Sequence, residues 1–202
     1  MTVSLSDPIA SADLPKASYA QKHLIIGAGF VGLGIAQALK ASGIDYDQVD
    51  ASDDIGGNWH HGVYETAHII SSRKTTEFTH FPMPETYPDF PSAQQMLDYL
   101  RHFADHFSLR ENIECDRSVT QVMPIEDNQW DVTFANGEVR QYKGVILCNG
   151  HHWCKRFPEF EGTFDGDIIH SKDYKHTLQL QGKRVLVIGG GTSACALAAA
   201  AA

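Results

Sequence analysis

The sequence contains no run of about 20 apolar residues, the length a helix needs to cross a bilayer, so no membrane span is expected. Basic charge is sparse: 16 Lys and Arg against 25 Asp and Glu leave a net charge of −9 with histidine neutral. Such a surface repels phosphate backbones, which argues against nucleic acid as a partner. Cysteine is scarce, with 4 residues at Cys115, Cys148, Cys154 and Cys195, and no C-x-x-C pair. These read as reduced thiols of a cytoplasmic protein, not as a disulfide framework or zinc site. Residues 1–20 hold Asp7 and Asp13 and no apolar block, so a flexible leader is expected there and a secretory signal is not. What the chain does have is 202 residues that are 43% hydrophobic, the size and composition of one globular domain or one domain plus a fragment.

His23–Ile26 is an apolar run too short for a helix, closing on Gly27, and predicts a buried strand. Phe30 to Lys40 follows with Val31, Ile35, Ala38 and Leu39 at helical spacing, ended by Ser42-Gly43. A second strand is predicted at Tyr46–Asp50. Strand, glycine turn, helix and strand make a βαβ unit, which requires a parallel sheet. A stretch rich in proline (Pro82, Pro84, Pro88, Pro91) then predicts an ordered excursion, since proline lacks an amide donor. Ser92 is placed to cap a helix over Ala93–Phe107, whose Met96, Leu97, Leu100, Phe103 and Phe107 share a face. Short strands are expected at Ile113–Cys115, Ser118–Met123, Gln129–Phe134 and Glu138–Tyr142, with Asn136-Gly137 as a hairpin turn, and a buried strand at Gly144–Cys148. Lys183–Ile188 predicts another strand, ending in Gly189-Gly190-Gly191 and opening a helix that runs into five terminal alanines. That ending reads either as a fragment or as a tail that departs from the natural sequence.

The strongest chemical signal is Gly27-Ala28-Gly29-Phe30-Val31-Gly32, between a predicted strand and a predicted helix. A diphosphate needs backbone amides at a helix N-terminus: Gly27 permits the tight turn, Gly29 leaves room for the ligand, and Gly32 lets helix and strand pack. Asp50, 23 residues after Gly27, stands where a ribose-binding carboxylate is expected. A second turn, Gly189-Gly190-Gly191-Thr192-Ser193-Ala194, has Ala194 for its third glycine. Two dinucleotide-type turns suggest two nucleotides and electron transfer between them.

With these residues in view, the chain resembles the N-terminal part of the flavin-containing monooxygenase family, the class B, FAD- and NADPH-dependent kind. Four ordered features carry the resemblance from about Gln21 onward: the first turn with Asp50, the segment Asp53-Asp54-Ile55-Gly56-Gly57-Asn58-Trp59, the excursion Phe81–Phe90, and the fingerprint Phe164-x-Gly166-x-x-x-His170-x-x-x-Tyr174. Tyr174 rather than a tryptophan favours this family over the related Baeyer–Villiger enzymes. The resemblance implies an α/β fold: a doubly wound FAD-binding domain over residues 21–170 with a parallel sheet and a small antiparallel excursion, and an incomplete NADPH-binding domain over 171–202. It implies FAD at Gly27, Ala28, Gly29, Phe30, Val31, Gly32 and Asp50, with further contacts at Gly57, Asn58, Trp59, Ile70, Ser71 and Val119. NADPH is implied at Gly189, Gly191, Thr192, Ser193 and Ala194, with Ala196 where an acid is common. The implied activity is transfer of one oxygen of O2 to a soft nitrogen or sulfur nucleophile on a small molecule. The sequence is also compatible with a homo-oligomer.

One departure concerns the residue before Ser71-Ser72, which is Ile70 where many members carry an asparagine; Ser71 or Arg73 would have to take over its polar role. His170 is a further acid–base candidate, although its place in the fingerprint favours a domain-linking role. Among the 11 histidines, His102 and His106 stand at helical i, i+4 spacing but lack a third ligand, so no metal is expected. His151-His152 reads as a linker, and Trp130 and Trp153 as packing residues. Two alternatives remain: a pyridine-nucleotide disulfide reductase, which needs a redox-active cysteine pair, and an inactive fragment of a flavin fold.

Overall fold

Leu24 and Ile25 are neighbours on one strand, and both are fully buried, on opposite faces of a sheet. That is why His23–Ile26 reads as an unbroken apolar run: a central parallel strand has no wet side. The computed structural model describes residues 18–151 and 153–202. In chain order the elements are β1 (Ser18–Ile26), α1 (Phe30–Ala41), β2 (Tyr46–Val49), α2 (Arg73–Thr76), α3 (Ala93–His106), β3 (Ile113–Glu114), β4 (Val119–Ile125), β5 (Gln129–Phe134), β6 (Val139–Leu147) and α4 (Thr192–Ala201), with short 3-10 turns between.

The strands form one mixed six-stranded sheet in the order β3-β2-β1-β6-β5-β4. β1 pairs in parallel with β2 and with β6, and β2 with β3, while β6-β5 and β5-β4 are antiparallel. The expected parallel core and antiparallel excursion are therefore halves of a single sheet. Glu138–Tyr142 and Gly144–Cys148, read as two strands, are one: β6 passes straight through Gly144. Ser18–Ala20, read as part of the leader, belongs to β1; residues 1–17 and His152 lie outside the described residues.

The two long helices α1 and α3 gather on one face. α1 and α3 enclose Ile25, Leu33, Ala36, Tyr46, Met96, Leu100 and Phe103, and the excursion adds Ile69 and Met83. Ser92 caps α3 as its sequence foretells: its hydroxyl accepts from the Gln95 amide at 3.2 Å, and Gln95 Oε1 accepts from the Ser92 amide at 2.9 Å. Phe78 from the excursion stacks between Phe30 and Phe103, at ring separations of 4.4 and 4.1 Å. Tyr99 pins this layer, accepting from the Phe78 amide and donating to the Phe81 carbonyl. The opposite face collects Leu24, Val49, Val132, Phe134 and Tyr142, packed with other strand residues.

Lys183–Ile188 does not form the expected strand. It makes no strand pairing among the described residues, and Leu186 and Ile188 are exposed. Full burial of a leucine or isoleucine contributes about 1.5–3 kcal/mol, which this segment leaves unrealised without a neighbouring strand.

Candidate functional site

The turn between β1 and α1 is built from close backbone approaches. Gly27 has φ +110°, and a Cβ there would stand 2.3 Å from the Cys148 carbonyl oxygen. A Cβ on Gly32 would stand 2.0 Å from the Gly27 oxygen, so α1 can begin where it does only with glycine at that position. The segment after β2 closes over this turn: the Gly56 amide donates to the Ala28 carbonyl at 2.9 Å, and Gly57, at φ +56°, lies against Gly29.

No side chain caps the N-terminus of α1, and no acid stands in its first turn. The helix therefore presents its first amides at its positive dipole end without a side-chain cap of its own. Asp50 sits beside this end. Its Oδ2 accepts from the Ala28 amide at 2.6 Å and its Oδ1 from the Ser52 amide at 2.8 Å. Strand pairing explains the placement, since β2 runs parallel to β1 and carries Asp50 to the same edge as the turn.

A cavity of about 280 Å³ opens beside the same helix end, lined by Phe30, Trp59, His68, Ile69, Ile70, Ser71, Thr76 and Met96. The structure thus brings together Phe30, Trp59, Ile70 and Ser71, four residues singled out from the sequence. Ile70 is exposed and apolar there, and the Ser71 hydroxyl bonds Thr76 Oγ1 at 2.7 Å. Arg73 does not line this cavity; its guanidinium donates to the Pro84 carbonyl at 3.2 Å in the excursion. Asn58 supports the wall, its carbonyl accepting from the Gly62 and Val63 amides. Val119 opens β4, paired with Phe134, in the antiparallel half of the sheet.

The fingerprint divides. Tyr174 is buried against Tyr64, and its neighbour Lys175 donates to the His61 and Gly62 carbonyls at 2.8 and 3.2 Å. Glu65 completes the seam by accepting from the Thr177 amide at 2.9 Å. His170 takes a local role: its Nδ1 accepts from the Lys172 amide, and its ring meets Phe157 edge-on. Phe164 is exposed and covers Gly166 with its ring. Trp153 is exposed as well, with the Lys172 ammonium over its ring, so the packing role read for it does not hold. The second turn does form a helix start: Gly189 has φ +132°, Ala194 approaches it, and Gly191 begins α4 (Thr192, Ser193) without a side-chain cap.

Two charge clusters brace the framework. Asp54 meets Arg101 and Arg110; burial alone would raise its pKa, but hydrogen bonds from both guanidiniums and the Ile55 amide hold it down at about 2. Across the sheet edge, hydrogen bonds from Arg140 and Arg117 outweigh burial and hold Glu138 at about 2. Burial pushes the Cys115 and Cys148 thiols up, away from the reactive thiolate range. Among the described residues, His102 and His106 belong to no group of three converging ligands. Among the described residues, the group that does converge is Asp53, His60 and His61, with one ligand atom from each within 4.8 Å of the others.

Against known proteins, the sequence model of the flavin-binding monooxygenase-like family matches residues 20–202. The chain belongs to that family. Among the relatives of this flavin-binding monooxygenase-like chain is the mouse (Mus musculus) dimethylaniline monooxygenase [N-oxide-forming] 2, 34% identical over 200 residues. The match covers 89% of this chain and 37% of the mouse protein, so the chain spans about a third of that relative's length. A double mutant of the flavin monooxygenase from Stenotrophomonas maltophilia superposes with a TM-score of 0.80 at 27% identity, covering 89% of this chain and 54% of that one. A crystal structure of OTEMO in complex with FAD and NADP superposes at 0.76 and 27% identity, covering 92% and 37%.

Several residues that shape the site of this flavin-binding monooxygenase-like chain escape sequence reasoning. Gln48 is fully buried on β2, and its Nε2 donates to the Gly27 carbonyl at 2.8 Å, holding the turn from behind. Its one signal is a polar residue two positions from Tyr46, on the same buried face of a strand. His68, Thr76 and Met96 reach the cavity from separate elements and carry no shared spacing.

Proposed function

We propose that the hollow at the start of α1 holds FAD, and that the chain serves a flavin-dependent monooxygenase using NADPH and O2 on a soft nitrogen or sulfur nucleophile. The observation that carries this reading is the uncapped N-terminus of α1 with the Asp50 carboxylate beside it and an aromatic-walled cavity adjoining. The residues fit such a group. The α1 amides answer a diphosphate, Asp50 accepts from ribose hydroxyls, and Phe30, Trp59, Ile69, Ile70 and Met96 give an apolar wall that keeps water off a bound ring system. Bound flavin supplies the reactivity toward NADPH and O2, and the protein supplies position and dryness. Ile70 offers no amide to this chamber, which leaves Ser71, with His68 and Thr76, as the polar groups of its lining. Residues 171–202, with Gly189, Gly191, Thr192, Ser193 and Ala194, are read as the opening of the NADPH unit.

The family match and the relatives' names support the oxygenase class; the OTEMO complex supports the pairing of FAD with NADP. A reductase working through a cysteine pair has no such support, since Cys115, Cys148, Cys154 and Cys195 are all unpaired. The same unpaired thiols fit a reducing, cytoplasmic setting, and no helix among the described residues is long and apolar enough to cross a membrane. The test is direct. Purified protein that keeps yellow FAD through desalting, bleaches with NADPH and recovers in air, faster with an amine or thioether present, supports the proposal. A colourless protein that takes up no added FAD overturns it.

A further inference from the structure

The Asp53 carboxylate and the imidazoles of His60 and His61 meet at one point. His60 Nε2 lies 2.9 Å and His61 Nε2 2.8 Å from the same oxygen, Asp53 Oδ1. Consecutive side chains usually diverge. Here the 3-10 turn Gly57–Trp59 winds the backbone so that both the His60 and His61 amides point to the Gly57 carbonyl. The two rings consequently lie side by side, with centroids 3.6 Å apart. Asp54, the neighbouring acid, is turned to Arg101 and Arg110, which leaves Asp53 to the histidines. Lys175 anchors the backbone at His61 through that residue's carbonyl, 2.8 Å from its ammonium.

From this convergence we infer that Asp53, His60 and His61 form a binding site for a divalent transition ion of the Zn2+ class. Two imidazole nitrogens and a carboxylate oxygen are the donor set such ions take, at about 2.0–2.2 Å from the metal, so the three atoms need open by only a few tenths of an ångström. The imidazole protons would move from Nε2 to Nδ1, leaving both Nε2 lone pairs for the metal. His60 is largely sheltered, whereas the side chains of His61 and Asp53 are 61% and 66% exposed, which leaves room for water as a further ligand. The ion would close the loop 53–61 on itself. That loop carries Gly56 and Gly57 over the β1–α1 turn, so the site is a clamp on the lid of the hollow, separate from any chemistry in it.

The test uses the purified chain after treatment with a chelator. Titration with Co2+ should give the intense visible bands of a site with few ligands, saturating at a single ion per chain, displaced by Zn2+ and accompanied by a raised melting temperature. Asp53→Asn and His61→Ala change exposed side chains, and each should weaken Zn2+ binding in calorimetry by more than about tenfold, the loss seen even when only a partner behind a ligand is removed. His102→Ala should leave binding unchanged. Absence of saturable Co2+ or Zn2+ binding by the wild-type chain overturns the inference. So does equal affinity in Asp53→Asn and His61→Ala, which would put the ion on other histidines.

Discussion

The Asp50 carboxylate holds the Ala28 amide at 2.6 Å, tying the tip of β2 to the middle of the turn that opens α1. The acid is thus positioned by the fold itself, through a backbone donor, and its second oxygen is steadied by Ser52. A ligand arriving at the helix end meets a carboxylate that is already oriented.

Asp50→Ala should therefore weaken FAD retention by about tenfold or more, the value of hydrogen bonds to a charged acceptor. FAD content after desalting, compared with wild type at equal protein, measures it. Unchanged content would remove Asp50 from the ribose role.

Gly32→Ala should cost about 3 kcal/mol or more in urea unfolding, at the upper end for overpacking, because its Cβ would fall 2.0 Å from the Gly27 oxygen. Gly190→Ala is the control. Nothing lies within 4 Å of a Cβ there, so its effect should stay within about 0.5 kcal/mol.

Gln48→Met should lose about 1–3 kcal/mol by leaving the Gly27 carbonyl without its side-chain donor. Gln48→Glu should lose more, since it places a carboxylate against that carbonyl in a fully buried site. Denaturant melts that rank Glu above Met would mean that the amide does not hold the turn.

Acid should destabilise the fold in a definite window. Asp54 and Glu138 are held at about 2, below their ordinary 3.8 and 4.5, so the stability they contribute is complete above pH 4.5 and is lost as pH falls toward 2. Asp54→Asn and Glu138→Gln should each flatten the slope of melting temperature against pH across that range. Parallel curves for variants and wild type would show that these ion pairs do not set the acid limit.

Local signals served well where one segment decides its own fate. The extent of α1, the Ser92–Gln95 cap of α3 and the glycine spacing of the first turn all depend on residues within a few positions of each other, and all three stand in the structure. The stripe Val31, Ile35, Ala38 and Leu39 does not, because α1 buries Gly32, Leu33 and Ala36 and leaves Val31 and Ala38 exposed. β6 misled because its pattern reads as two strands parted at Lys143, with Gly144 opening the second, and glycine weakens a strand pattern. Gly144 is there for a distant reason: it pairs with His23 of β1, and a Cβ would press to 2.8 Å from that ring. Lys183–Ile188 misled for the converse reason, because apolar content reports a wish to be buried and says nothing of whether a neighbouring strand exists. Gln48 and the Asp53–His60–His61 convergence depend on how a chain turns in three dimensions, which spacing along a line does not reveal.

β6 is a single strand with two masters. At one end the Asn136-Gly137 hairpin sets how far it slides along β5; at the other its continuation delivers the Cys148 carbonyl against Gly27. The hairpin is therefore a remote gauge for the nucleotide turn. Lengthening it by one residue would not merely disturb a surface loop, but would feed an error of about 3.3 Å down the strand into the place where the backbone tolerates none.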